Sequence, residues 1–413
     1  MKNVGEIMEE KYIELLLDKC VDKKSKILFI HYQKEISPFI QKLVKRAKEL
    51  GIQECFREEE DINRKHRILK ASTKQSILTN PYFNKENWDF YAKKNAAFLC
   101  FETEYPTALD DIPDDIVAYA AKRERETRPL YRKMVENCTL SWCIAAYPGK
   151  KWAEFIFKEE ENSYEKLRQA IFKICMLDQE DPIKCWEKQL AKTEKTIETL
   201  NQLNLKKIHY ANQLGTNLDL YLPKHYQFAS AKDGQIIVNM PSYEIFSSPL
   251  YDKTKGIVYS SKPLNYNGKI VDEFWLKFAH GKVIDYDARV GKDILKEIIE
   301  GDENSCYLGE FAFVEENSPI ADLKITFGTT LIDENASCHL ALGAGFGECI
   351  KDGLSMSTSN LLEKGINQSK IHVDFMIGTP DLSITGITEA GESIPIFENG
   401  NFTPSLQSSK PPC

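Results

Sequence analysis

The sequence lacks a long hydrophobic segment. No run of 18 apolar residues occurs among its 413 residues, and no apolar signal-peptide core follows the N-terminus. A membrane-spanning helix needs about 20 consecutive apolar residues, so the sequence predicts that the protein has no membrane partner. We therefore expect a cytoplasmic protein.

An excess of basic residues is also missing. The chain has 54 lysines and arginines against 62 aspartates and glutamates, a net charge of −8. A general nucleic-acid binder needs a basic surface to displace counterions, so no nucleic-acid partner is expected. No Gly-x-Gly-x-x-Gly or phosphate-loop pattern follows an apolar strand of the first half, which leaves a nucleotide site with little support.

Cysteine pairs with Cys-x-x-Cys spacing are absent as well. The eleven cysteines are an odd number, and no two of them have Cys-x-x-Cys spacing. This distribution excludes a disulfide framework and a structural zinc ribbon as organising features. We expect reduced thiols, many of them packed as small hydrophobic side chains.

The first half of the chain alternates strand-like and helix-like segments. Short apolar runs predict strands, and segments with helical periodicity lie between and after them. The strands are predicted at 27–32, 96–101 and 140–147, and the helices at 38–50, 115–137, 164–177 and 183–203. This alternation predicts an α/β N-terminal domain with a mostly parallel sheet.

The second half is rich in predicted strands separated by turn signals such as Asn267-Gly268. Only 292–300 shows a clear helical pattern there. We therefore predict a β-rich α+β domain that carries the metal-binding and catalytic residues. The predicted division falls between residues 1–208 and residues 209–413.

Two of the seven histidines lie close to carboxylates in this second half. Glu334 precedes His339 by five residues, and His372 and Asp374 are two apart in a predicted strand at 370–377. Alternation along a strand puts His372 and Asp374 on one face. Two imidazoles and two carboxylates converging in space would form a site for zinc, cobalt or manganese. Cys338, beside His339, is expected to point away from this site.

Four motifs in order resemble the thermophilic-type metalloaminopeptidases, the aminopeptidase T and aminopeptidase S group. The motifs are Asn239-Met240-Pro241-Ser242-x-Glu244, Leu308-Gly309-Glu310, the segment from Asp333 to Gly343, and the segment from His372 to Gly378. The resemblance implies two divalent ions per subunit (zinc, cobalt, manganese or magnesium) with the ligands Glu244, Glu310, Glu334, His339, His372 and Asp374. It further implies that the enzyme removes N-terminal amino acids from short peptides and forms a homodimer.

Two roles in this resemblance concern individual residues. Glu310 would bridge the two ions, and either Glu310 or a metal-bound water would serve as the general base. Many members have a tyrosine seven residues after the first histidine, where this chain has Phe346. A phenyl ring can neither donate a hydrogen bond nor transfer a proton. The group that shuttles the proton therefore stays open.

Two other functions are compatible with these ligands. A two-metal phosphoesterase uses similar side chains, but it would be expected to add lysines or arginines for the phosphate, and none lies within the four motifs. A homologue that binds metal or peptide with impaired catalysis is the second alternative, and it is motivated by Phe346.

Overall fold

The computed structural model describes residues 4–103, 105, 107–158 and 160–406. The chain forms two compact units whose segments interleave. One unit comprises the chain up to Trp186 together with Lys232–Pro241 and Asn267–Lys269. The other comprises Glu187–Ala231, Ser242–Tyr266 and the chain from Ile270 onward. The predicted division into domains 1–208 and 209–413 stays a prediction.

A parallel five-stranded sheet organises the first unit. Its strands are β1 (Ile27–Gln33), β2 (Glu54–Glu60), β3 (Ala97–Glu102), β4 (Trp142–Ala146) and β9 (Asn239–Met240). They lie in the order β2-β1-β3-β4-β9. The short strands β7 (Lys232–Asp233) and β8 (Ile236–Ile237) pair with each other.

Helices separate the strands of this sheet along the chain. They are α1 (Val4–Lys19), α2 (Ser37–Glu49), α3 (Ile62–Lys70), α4 (Lys74–Thr79), α5 (Glu86–Lys93), α6 (Asp114–Glu126), α7 (Pro129–Glu136), α8 (Lys150–Phe157), α9 (Ser163–Ile174) and α10 (Pro182–Gln202). The single helix predicted at 115–137 is wrong, because α6 ends at Glu126 and α7 begins at Pro129. Proline cannot continue the hydrogen bonding of a preceding helix and disfavours helical geometry at the residue before it.

Aromatic side chains cover both faces of the parallel sheet. On one face, Phe29 and Phe98 stack on each other and contact Trp88 of α5. On the other face, Tyr12 of α1 stacks on Phe39 of α2. The sheet is therefore buried between helices, as an α/β domain with a parallel sheet requires.

The second unit contains two sheets. Its elements are β5 (Leu205–Ala211), β6 (Asn217–Tyr221), β10 (Ile245–Ser247), β11 (Lys255–Tyr259), β12 (Leu264–Tyr266), β13 (Lys269–Ala279), β14 (Lys282–Val290), α11 (Lys292–Ile299), β15 (Leu308–Phe313), α12 (Thr330–Asp333), β16 (His339–Gly343), α13 (Thr358–Glu363), β17 (His372–Met376), β18 (Ser383–Thr388), β19 (Ser393–Glu398) and β20 (Asn401–Phe402). The smaller sheet is antiparallel, in the order β10-β15-β16-β17. The larger sheet has nine strands, in the order β12-β13-β11-β6-β5-β18-β19-β20 with β14 on β13.

One hydrophobic core joins the two sheets of this unit. Phe311, Leu340 and Phe375 of the smaller sheet belong to the same buried cluster as Tyr210 and Leu276 of the larger sheet. The core uses one face of the smaller sheet, so the opposite face is available for other side chains. The predicted fold class, an α/β domain followed by a β-rich domain, is confirmed.

No helix of the described residues is long and apolar enough to cross a membrane.

Candidate metal centre

Strand alternation separates the core of the smaller sheet from a cluster of charged side chains. Leu340 of β16 and Val373 and Phe375 of β17 belong to the hydrophobic core. Their neighbours along the strands, His339, His372 and Asp374, have the opposite orientation because successive side chains of a strand point to opposite faces. The same alternation on β15 puts Phe311 in the core and Glu310 on the charged face.

The register of these strands brings two carboxylates together. Glu310 of β15 and Asp374 of β17 both pair with Ala341 of the central strand β16. Ala341 is fully buried. Its methyl group leaves space above the sheet in which the two longer side chains can meet.

Five of the six predicted ligands form two overlapping groups. Glu244, Glu310 and His339 form one group, and Glu310, His372 and Asp374 form the other. Within each group, one ligand atom from each residue lies within 4.8 Å of the others. Glu310 is the member that the two groups share.

Short contacts link the imidazoles to the carboxylates. His339 Nε2 lies 3.2 Å from Glu244 Oε2. His372 Nε2 lies 2.9 Å from Glu310 Oε2 and 3.0 Å from Asp374 Oδ1. Both histidines therefore present Nε2 to the cluster.

Backbone carbonyl groups orient both rings. The Ser337 carbonyl oxygen lies 3.1 Å from His339 Nδ1, and the Ala344 carbonyl oxygen lies 2.7 Å from His372 Nδ1. A carbonyl oxygen only accepts, so each Nδ1 carries hydrogen and donates it. This second hydrogen bond fixes the ring and leaves Nε2 toward the carboxylates, as is usual for a histidine that binds a metal.

Burial strongly affects the titration of these groups. It raises the pKa of the Glu310 carboxyl to about 7, against the lowering effect of His372. Burial lowers the pKa of His339, but the hydrogen bond and charge of Glu244 outweigh it and raise that pKa to about 9. The pKa of Asp374 is lowered, because the neighbouring His372 outweighs burial. The cluster therefore favours positive charge, and a divalent cation would compete with protons for the same atoms.

The sixth predicted ligand, Glu334, lies outside both groups. It is 8% exposed in a single 3₁₀ turn, Glu334–Ala336, immediately before β16. Asn335 Nδ2 lies 3.4 Å from its Oε1. The structure therefore buries Glu334 in the sequence segment next to His339 without bringing its carboxylate into either group of three.

Asn335 and Asp333 hold the backbone around Glu334, although the sequence alone did not predict a role for either residue. Asn335 is fully buried, and its Oδ1 accepts a hydrogen bond of 2.6 Å from the Tyr243 backbone N–H, next to Glu244. Asp333 accepts hydrogen bonds from the backbone N–H groups of Phe327 and Gly328. A sequence signal was present, because both residues have small polar side chains within the family-like segment from Asp333 to Gly343.

Phe346 lies beside the cluster. Its ring centroid is 4.9 Å from that of His372, and Phe246 packs against it at 5.4 Å. The Phe346 backbone N–H donates to Ser248 Oγ at 3.0 Å. This position thus presents an apolar ring to a predicted metal ligand. Cys338 belongs to the hydrophobic core instead, where its thiol donates to the Val314 carbonyl oxygen at 3.3 Å.

The donor set fits divalent cations. The two groups offer three carboxylates and two imidazole nitrogens, and all but His372 are at most 9% exposed. Nitrogen and oxygen donors of this kind suit zinc, cobalt and manganese. Three buried carboxylates outnumber the two imidazoles that contact them, and a divalent cation would supply further positive charge.

Comparisons with known proteins agree with this geometry. The chain is 33% identical over 402 residues to aminopeptidase AmpS of Bacillus subtilis (strain 168), and the match covers 95% of this chain and 97% of that protein. It is 32% identical to aminopeptidase 2 of Geobacillus stearothermophilus, again over 95% and 97% of the two chains. The structure of wild-type AmpT from Thermus thermophilus superposes with a TM-score of 0.87 at 25% identity, covering 97% of this chain and all of that one.

The family assignment follows from the extent of these matches. Residues 6–402 match the thermophilic metalloprotease (M29) family. The predicted resemblance and the predicted enzyme class, a metallo-aminopeptidase, are thereby confirmed. The chain belongs to the thermophilic metalloprotease (M29) family.

Proposed function

We propose that this protein is a dinuclear metal-dependent aminopeptidase that releases N-terminal amino acids from short peptides. The observation that carries the proposal is the position of Glu310 in both groups of three ligand residues. Two cations with one shared carboxylate are the usual arrangement of two-metal hydrolases. The aminopeptidases among the relatives support peptides as the substrate class.

The residues would divide between two cations. Glu244 and His339 would hold one cation, His372 and Asp374 would hold the other, and Glu310 would bridge them. Glu334, the sixth ligand that the family resemblance implies, would complete the shell of one cation. When bound, the two cations would lower the pKa of a water molecule and polarise the scissile carbonyl.

The chain's own residues supply the rest of the site. The carbonyl oxygens of Ser337 and Ala344 keep both imidazoles in the orientation that binding needs. Glu310 is the candidate general base. Phe346 can contribute only packing, so no phenol at this position would donate a hydrogen bond to the developing oxyanion.

One alternative has an observation in its favour. A homologue with impaired catalysis would keep the ligands and lose the groups that assist proton transfer, and Phe346 next to His372 fits that description. A phosphoesterase has less support. Among the described residues, the ion pairs of the five clustered ligands join histidine only to carboxylate, and none of them involves a lysine or arginine that could hold a phosphate.

Hydrolysis of leucyl p-nitroanilide by the full-length chain tests the proposal. The chain is stripped with a chelator and reloaded with zinc, cobalt, manganese or magnesium, and bound metal is quantified. We expect two ions per chain and cleavage of the free-amine substrate but not of its N-acetyl form. Metal binding without hydrolysis would support the impaired homologue, and cleavage of p-nitrophenyl phosphate alone would support the phosphoesterase.

Assembly and location belong to the same proposal. The family resemblance implies a homodimer, and the lack of a long apolar segment led us to expect a cytoplasmic location; both stay predictions. Light scattering during size-exclusion chromatography measures the mass in solution, and a monomer at micromolar concentration would contradict the homodimer.

A further inference from the structure

A cavity of about 550 Å³ lies at the carboxyl edge of the parallel sheet. The strand order β2-β1-β3 means that the chain moves outward from β1 to β2 and then returns to the other side of β1. Gln33 ends β1, Glu60 ends β2 and Glu102 ends β3, and all three line the cavity. The crevice between β1 and β3 is thus the topological switch point, where open α/β sheets usually bind ligands.

The cavity has the size and the mixed lining of a small-molecule site. Such sites commonly measure roughly 300–1,000 Å³, with apolar walls and a few polar groups. Here Leu69, Leu109, Val117 and Ala120 contribute an apolar wall. Within the described part of the chain, the Oγ1 of Thr103, another residue of the lining, is buried without a hydrogen-bond partner.

Helix N-termini at this edge are closed to anions. The Asp61 carboxylate accepts hydrogen bonds from the backbone N–H groups of Asn63 and Arg64 in the first turn of α3. Glu35 Oε2 accepts from the Lys150 N–H at the start of α8, at 3.1 Å. Both carboxylates line the cavity and occupy the positions that a phosphate would use. This arrangement disfavours a nucleotide or another phosphorylated ligand.

Charges of both signs remain in the lining. Glu60 Oε1 lies 2.9 Å from Lys65 Nζ, and Glu60 Oε2 lies 3.3 Å from His31 Nε2. Lys34 and Lys151 also line the cavity, and their side chains are 64% and 57% exposed, so they lie at its solvent side. Glu60 and Glu102 put carboxylates at the strand ends, although Lys65 and His31 contact Glu60. Lys34 and Lys151 put ammonium groups near solvent, where they also contact Asp61 and Glu154. This distribution suits a ligand with two separated, opposite charges.

We propose that this cavity binds a free α-amino acid with an apolar side chain. The ammonium group would lie near the carboxylates at the ends of β2 and β3. The carboxylate would lie toward Lys34 and Lys151, and the side chain would pack on the wall formed by Leu109 and Val117. The proposal goes beyond the proposed function and holds whether or not the metal centre hydrolyses peptides.

Binding of L-leucine to the full-length, metal-loaded chain tests this proposal. Isothermal calorimetry compares L-leucine with glycine, 4-methylpentanoate and isopentylamine, which lack the side chain, the ammonium and the carboxylate respectively. We expect saturable binding of L-leucine and at least about tenfold weaker binding of each analogue. Absence of saturable leucine binding at millimolar concentration would overturn the proposal.

Matched variants locate the site. Ala121 of α6 lines the cavity and is half-buried, whereas Ala118 of the same helix is exposed and outside the lining. We expect Ala121→Trp to weaken leucine binding at least about tenfold and Ala118→Trp to leave it unchanged. Glu310→Gln should also keep this binding, because Glu310 belongs to the metal centre. Leucine binding that is lost in Glu310→Gln and kept in Ala121→Trp would assign it to the metal centre and overturn the proposal.

A charge-reversal variant covers the case in which Ala121→Trp does not fold. Lys34 is exposed enough to be replaced without disturbing the core. Lys34→Glu should weaken L-leucine and leave isopentylamine unchanged or tighter. Equal leucine affinities in the wild type and this variant would overturn the predicted orientation and, with it, the proposed ligand class.

Discussion

Glu310 and Asp374 are aligned across one intervening strand, because both pair in register with Ala341 of β16. The row Glu310–Ala341–Asp374 runs perpendicular to the strands on the face away from the core. This row explains how Glu310 and Asp374, which are 64 positions apart in the sequence, belong to the same group of ligands. The position of these two ligands therefore depends on the register of the three strands β15, β16 and β17.

Removing the shared carboxylate should affect both cations. We expect Glu310→Gln to reduce bound metal and to lower kcat/KM by more than about 100-fold, since even residues that only support a metal ligand change affinity or activity by about 10–100-fold. Metal analysis and leucyl p-nitroanilide hydrolysis measure the two effects. Glu300→Gln, at an exposed position, is the matched control. Normal turnover in Glu310→Gln would show that the bridging assignment is wrong.

Glu334 should matter less than Glu310 for metal binding. It lies outside both groups of three and contacts Asn335. We expect Glu334→Gln to weaken one cation while the other stays bound, which metal titration followed by calorimetry would resolve into two steps. Loss of both cations in this variant would place Glu334 at the centre of the site instead.

The small side chain of Ala341 should be essential, because it allows the carboxylates of Glu310 and Asp374 to approach each other. A leucine there would add atoms between Glu310 and Asp374 in a fully buried position. Overpacking of this kind costs typically about 1–3 kcal/mol in unfolding free energy. We expect Ala341→Leu to lose metal, whereas Ala341→Ser, of similar size, keeps it. Equal metal content in the two variants, measured on folded protein, would refute the steric explanation.

A hydroxyl at position 346 should increase the rate of catalysis. Phe346 lies against His372, so Phe346→Tyr would place a phenol next to the cluster. One donor to an oxyanion is typically worth about 10²–10³ in rate, and we expect kcat to rise by about tenfold or more. Phe346→Leu, which has no hydroxyl, should give no increase. An unchanged kcat in Phe346→Tyr would show that another group already supplies the hydrogen bond.

The first unit should lose stability in acid through Glu60. Burial would raise the pKa of Glu60, but Lys65 and His31 outweigh it, so this pKa is well below its usual value. A lowered pKa stabilises the folded state above the unfolded-state pKa of about 4.3 and loses this contribution as the pH falls toward the folded-state pKa. The loss is therefore expected below about pH 4.3.

Hydrogen exchange of β1 and β2 amides as a function of pH measures this effect. Glu60→Gln should remove that acid-dependent part of the protection. It should also cost about 3 kcal/mol at neutral pH, because Lys65 is left partly buried without one of its partners. Glu49→Gln, on a more exposed glutamate, is the control. Protection that falls equally with pH in the wild type and Glu60→Gln would contradict the role of Glu60.

Much of the parallel sheet could be predicted because its strands are buried on both faces. β1, β3 and β4 are continuous apolar runs, which local sequence shows directly. β2 was missed because it is an edge strand with the sequence Glu54-Cys55-Phe56-Arg57-Glu58-Glu59-Glu60. β9 was missed as a member of this sheet because two residues joined to β4 by a long connection leave no periodic signal.

The sequence allowed us to predict which residues form most of the candidate site, but not how they are arranged in space. His372 and Asp374 could be placed on one face because strand alternation is local. The pairing of both carboxylates with Ala341 could not be predicted, since register depends on contacts between distant segments. The same reason explains Asn335, whose role depends on the Tyr243 backbone lying within 2.6 Å.

Core and ligand residues alternate on β16 and β17, and this alternation makes a shifted register of either strand unfavourable. A slip of one residue in either strand would turn His339 or Asp374 into the hydrophobic core and expel Leu340 or Phe375. Such a chain would have to bury charge without a partner, which is strongly unfavourable. Misregistered molecules are therefore too unstable to accumulate, and a folded population should consist of molecules that are competent to bind metal.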